Sequence, residues 1–85
     1  MKKFEYKIVE PMGIHARPAG MLVKTASVYE SSITIEKNGK AANVKRIMAL
    51  MSLGVRCDEI VTFRIEGADE ENAMAELKAF CKEYL

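Results

Sequence analysis

Two cysteines, two prolines, one histidine and no tryptophan occur among the 85 residues, and these shortages narrow what the chain can be. Cys57 and Cys81 stand too far apart for a redox or zinc motif, and neither has a histidine or cysteine at ligand spacing. Both read as reduced, structural thiols, and no metal or cofactor is expected. No apolar run approaches the roughly 20 residues that a membrane span requires. The start, Met1 to Lys7, alternates charged and apolar residues where a signal peptide would carry an apolar core, so a cytoplasmic protein without membrane insertion is expected. Around the single histidine, His15, there is no neighbouring serine or cysteine and no glycine-rich nucleotide loop. A self-contained kinase or hydrolase is therefore not expected. The only strand aromatics are Phe4, Tyr6 and Phe63, whose patterns place them inward, so none is left to stack on the bases of a nucleic acid.

What is present is the composition of a folded globule, 49% hydrophobic and 29% charged. The length suits one core, and a single monomeric domain over residues 1–85 is expected. The net charge of +1 hides an asymmetry. Residues 13–56 hold Arg17, Lys24, Lys37, Lys40, Lys45, Arg46 and Arg56 against Glu30 and Glu36 only, while most of the acid lies later. Such a segment either attracts acidic or phosphorylated partners or is simply solvated charge.

Phe4, Tyr6 and Ile8 alternate with polar residues as in a half-buried strand, which Pro11-Met12-Gly13 breaks. From Pro18, the positions Ala19, Leu22, Val23, Ala26 and Tyr29 recur at helical spacing. Residues 32–36 alternate again, and Asn38-Gly39 predicts a tight hairpin to a short strand at 40–43. Ile47, Leu50 and Met51 predict a short helix ending at Gly54, with Ile47, Leu50 and Met51 inward and Met48 partly out. Val61, Phe63 and Ile65 mark a fourth strand. Asp69 then caps a last helix whose inner stripe is Met74, Leu77, Phe80, Cys81 and Tyr84. The order β-α-β-β-α-β-α predicts an α+β fold, a largely antiparallel sheet with helices on one face and water on the other.

The chemistry concentrates in "GIHARPAG", residues 13–20. Proline is tolerated in a first helical turn because the amides there lack partners, so Pro18 places His15 at or just before the cap. The free amides of Ala16 and Arg17, with the positive helix end, then form an anion site beside the imidazole. These positive charges favour the neutral ring, whose lone pair can attack phosphorus. The guanidinium of Arg17 suits the planar hydrogen bonding that a phosphoryl group offers. Gly13 lets the backbone bend and Ala16 leaves room for a partner to approach. The alternative, a solvated histidine beside an ordinary helix start, weakens once the strand, break and amphipathic helix are all in place.

"GIHARPAG" together with "VKRIMALMSLGV" and "EGADEENAMAEL" resembles the HPr family, histidine-containing phosphocarriers of the bacterial phosphoenolpyruvate-dependent sugar phosphotransferase system, over essentially the whole chain. The resemblance implies a four-stranded antiparallel open-faced sandwich covered by three helices. It also implies phosphorylation of His15 on Nδ1 by enzyme I, transfer to enzyme IIA of sugar transporters, and a place for Arg17 in the active centre. Sequence alone leaves Met48 equally suited to filling a core gap and to docking partners. The resemblance favours docking, with Gly20, Met21, Ile47, Met48 and Met51 around the histidine. One position departs from the family: Gram-positive relatives carry a kinase-targeted regulatory serine where this chain has Arg46, which has no hydroxyl to modify. Ser52 falls late in its helix, where a phosphate would face the negative dipole end. Two other readings stand beside the carrier: a regulatory relative acting on a transcription factor or phosphorelay without sugar transport, and an anion- or RNA-binding module.

Overall fold

The computed structural model describes residues 1–85. Seven elements follow in order: β1 (Lys2–Lys7), α1 (Ala16–Ser27), β2 (Ser32–Lys37), β3 (Lys40–Asn43), α2 (Ile47–Ser52), β4 (Ile60–Glu66) and α3 (Glu70–Tyr84). The strands form one antiparallel sheet in the order β1-β4-β2-β3. Thus β1 and β4, first and last in sequence, lie side by side, with Phe4 opposite Phe63 and Tyr6 opposite Val61. The hairpin from β2 to β3 turns at Asn38-Gly39, both with positive φ, as that dipeptide allows.

Period-2 alternation sorts the two sheet faces. Ile33 and Ile35 of β2, and Val61, Phe63 and Ile65 of β4, are buried, while Thr34, Thr62 and Arg64 point to the open face. There Arg64 pairs with Glu36 of the neighbouring strand. Against the inner face pack Ala19, Leu22 and Ala26 of α1, Leu50 of α2, and Ala73, Leu77, Phe80 and Cys81 of α3, completing a cluster of 20 buried residues. Full burial of a branched or aromatic side chain contributes roughly 2 kcal/mol. The core therefore supplies the reason for a six-residue helix such as α2 to exist at all.

Two packing expectations are corrected. Ile47 and Met51 do not turn inward: they are 37% and 38% exposed, with Met48 at 75%. A helix of under two turns presents one row to the core. Leu50 fills that row, and Val44, Leu53 and Val55 on either side bury what remains. Tyr84, placed by periodicity in the inner stripe of α3, is 40% exposed. It lies in the last turn, where its ring tilts against Phe80 with centroids 4.9 Å apart and reaches the surface. Met74, Val23 and Tyr29 are half-buried at the rim.

Asp69 occupies the cap position of α3, but its carboxylate bonds outside its own helix. It accepts the Glu30 and Ser31 N–H groups at 2.8 and 3.0 Å, and the Ser31 hydroxyl. Glu70, the first residue of the helix, turns back to accept the Gly67 N–H at 3.0 Å, closing the turn that leads into α3. Of the two thiols, Cys81 is buried, and burial pushes it up to about 12, leaving it protonated and inert.

Candidate functional site

The segment between β1 and α1 is fixed by bonds to distant parts of the chain. Ile8 N–H donates to Glu59 O at 2.9 Å, and Val9 and Glu10 N–H both donate to Leu85 O, at 2.6 and 2.8 Å. A turn follows, closed by Gly13 N–H donating to Glu10 O at 2.9 Å. Gly13 has φ +66°, and a Cβ built there would stand 2.2 Å from Val55 O, so only glycine fits. Ile14 is buried and donates to Val55 O at 3.1 Å. The backbone is thus pinned on both sides of the turn, and the next residue emerges in a fixed place.

That residue is His15. It is the N-cap of α1, with extended backbone (φ −95°, ψ −174°), and its carbonyl accepts the Ala19 N–H at 2.9 Å. Its imidazole makes no capping bond. The N–H groups of Ala16 and Arg17 donate to no backbone carbonyl and Pro18 has none, so the helix start presents unpaired donors beside the ring. No acidic side chain occupies the first turn to neutralise them. Ala16 and Arg17 are exposed and Pro18 is buried.

Glu10, His15, Arg17, Pro18, Met21 and Tyr84 line one hollow of about 200 Å³. Two of these, Glu10 and Tyr84, were not among the site residues expected from sequence, which placed Tyr84 in the inner stripe of α3. Pro11 and Gly13 signal a turn that could have returned position 10 towards position 15. For Tyr84, 69 residues further on, no local signal exists. Glu10 Oε1 lies 3.8 Å from His15 Nε2, and the two side chains are 30% and 35% exposed. A larger open depression of about 450 Å³ lies over Gly67–Asn72, but it is lined by Asp69, Glu70 and Glu71 and holds no nucleophile.

α1 packs against α2, and both leave apolar side chains uncovered. Met48, Met51 and Ile47 of α2 are exposed, Met21 of α1 is half-buried, and Gly20 has no atom within 4 Å of where a Cβ would stand. Beside them the start of α2 is basic, with Arg46 exposed and Lys45 donating through Nζ to Tyr29 O at 2.6 Å. Flexible methionines on an open, glycine-flattened surface suit contact with more than one partner. No helix is long and apolar enough to cross a membrane.

The chain is similar along nearly its full length to proteins of known type. A family model described as "PTS HPr component phosphorylation site" matches residues 2–83. The phosphocarrier protein HPr of Mycoplasma genitalium is 46% identical over 80 residues, covering 93% of this chain and 91% of its own. Among solved structures, HPr-C-His from Thermoanaerobacter tengcongensis superposes with a TM-score of 0.94 at 42% identity, covering 98% of this chain and 93% of that one. Crh, the catabolite repression protein of Bacillus subtilis, solved as a swapped dimer, is 37% identical with a TM-score of 0.78, covering 100% of this chain and 99% of its own.

Proposed function

The chain belongs to the HPr family of phosphocarrier proteins of the phosphotransferase system, and from that premise we propose that it carries a phosphoryl group on His15 from phosphorylated enzyme I to enzyme IIA components of sugar transporters. The observation that carries this reading is the position of His15, an accessible imidazole at the N-cap of α1 beside the unpaired Ala16 and Arg17 amides. The electron pair of Nδ1 attacks phosphorus to form the N–P bond while the bond from phosphorus to the donor breaks, and the donor leaves with the electron pair of the broken bond. Amides, helix dipole and the Arg17 guanidinium then face the new phosphoryl oxygens.

Partners of both kinds dock on Gly20, Met21, Ile47, Met48 and Met51, a surface that adjoins the hollow of His15 through Met21. The carrier works as a cytoplasmic monomer, without nucleic acid or membrane insertion. A second, regulatory reading draws support from the likeness to Crh, a catabolite repression protein that forms a swapped dimer. Arg46 weighs against any such role that depends on a phosphorylated serine at this position. Incubation with phosphoenolpyruvate and purified enzyme I tests the proposal. Acid-labile, base-stable phosphate on His15, absent from His15→Ala, supports it. No incorporation removes it, and failure to restore sugar uptake in a strain lacking its own HPr would leave the regulatory reading in its place.

A further inference from the structure

The turn that delivers His15 also brings back a carboxylate that the carrier reading does not use. Glu10 is held through its backbone, by its N–H to Leu85 O at 2.8 Å and its carbonyl from Gly13 N–H at 2.9 Å. It is held through its side chain as well, because Met12 N–H donates to Oε1 at 3.1 Å. The same Oε1 stands 3.8 Å from His15 Nε2 in the shared hollow. Active-site hydrogen bonds are often long in the resting state and tighten when the reaction partner arrives.

A neutral imidazole has one N–H and one lone pair, and the partner of one nitrogen decides which nitrogen carries the proton. An ionised carboxylate only accepts. Facing Nε2, it favours the Nε2–H tautomer and leaves the lone pair on Nδ1. We propose that Glu10 is a positioning residue, holding the His15 ring in the Nε2–H form so that Nδ1 is free to take the phosphoryl group. The inference rests on the carrier reading given above. As the Nδ1–P bond forms and the P–donor bond breaks, the ring becomes positively charged with its proton still on Nε2. The Glu10 carboxylate faces that charge from the Nε2 side, while Arg17 is the cation available to the phosphoryl oxygens. On discharge the N–P electron pair returns to Nδ1, and the ring is again neutral with the proton in place.

Glu10→Gln separates charge from shape, since the amide oxygen can still accept the Met12 N–H. In long-range ¹H–¹⁵N spectra of the His15 ring, recorded near pH 8.5, the native protein should show the Nε2–H tautomer, and Glu10→Gln a larger Nδ1–H share. Transfer from phosphorylated enzyme I at saturating concentration should slow about ten-fold, the low end of what loss of a histidine's orienting partner costs, with thermal stability unchanged. Glu10→Ala, which removes the acceptor altogether, should show a larger shift than Glu10→Gln, whose amide oxygen can still accept from Nε2–H. An identical tautomer ratio in native protein and Glu10→Ala overturns the proposal. If native protein takes up no phosphoryl group, the carrier reading fails, while the tautomer comparison still decides whether Glu10 orients the ring.

Discussion

Gly13 lies against the carbonyl of Val55 so closely that no side chain can be added: a Cβ would stand 2.2 Å from that oxygen and 2.8 Å from the Arg56 Cα. Gly13→Ala must therefore separate two backbone segments as well as hold alanine at positive φ. A loss of about 3 kcal/mol is expected from the combined strain and overpacking, read by urea denaturation. His15 is only two residues away, so phosphoryl uptake should fall more than the loss of folded protein explains. A variant with native stability would show that this contact does not set the loop.

The acid limb of stability should be steep, and Asp69 should be a principal cause. The Ser31 hydroxyl, then the Glu30 amide, hold its carboxyl below the ordinary value. Glu70 is held down by the Gly67 amide and the chain's N-terminal ammonium, and Glu59 by the Arg56 amide and Lys37. A carboxyl whose folded value lies below its unfolded one adds stability that is complete above the unfolded value, near pH 4, and is lost as pH falls through the folded value. Asp69→Asn should accordingly be less stable than native protein at pH 7, with the difference closing below pH 4. A difference that stays constant over that range would contradict the assignment.

Within α2, neighbouring positions should separate stability from binding. Leu50→Ala removes the one side chain by which the helix enters the core, at an expected cost of about 2–5 kcal/mol. Met48→Ala, at 75% exposure, should change stability by less than about 0.5 kcal/mol yet weaken the complex with enzyme I in a calorimetric titration. Native affinity in Met48→Ala would remove this residue from the docking surface.

Arg17→Ala should fold normally, because its side chain is exposed and makes no ion pair within the chain. Phosphoryl transfer should slow by about ten-fold or more, the loss expected when a charge-assisted contact to an anion is removed. Stopped-flow quench measurements would check this, and a native rate would show that the amides suffice.

Much of the fold was legible because its signals are local. Alternation in β1, β2 and β4 follows directly from side chains pointing to opposite sheet faces, and Asn38-Gly39 announces its own turn. His15 was legible as a cap because Pro18 can sit only where amides are unpaired. What stayed hidden depends on residues far apart in sequence. The spacing around Asp69 marks a cap, yet nothing local reveals that its carboxylate reaches Glu30 and Ser31, 39 and 38 residues earlier. Glu10 faces His15 only because Leu85 and Val55 hold the intervening backbone. The inward placement of Ile47 and Met51 failed for a related reason: apolar identity does not say whether the core still has room, and Leu50 with its buried neighbours had already filled it.

The sheet order also bears on how the molecule is built during synthesis. β1 pairs only with β4, so it has no place in the sheet until residues 60–65 have been made. The β2–β3 hairpin can close soon after it emerges, offering β4 a ready edge, and β1 can then join on the far side. The loop that carries His15, tethered to β1 on one side and to Leu85 on the other, takes its final shape only after residue 85 has been made.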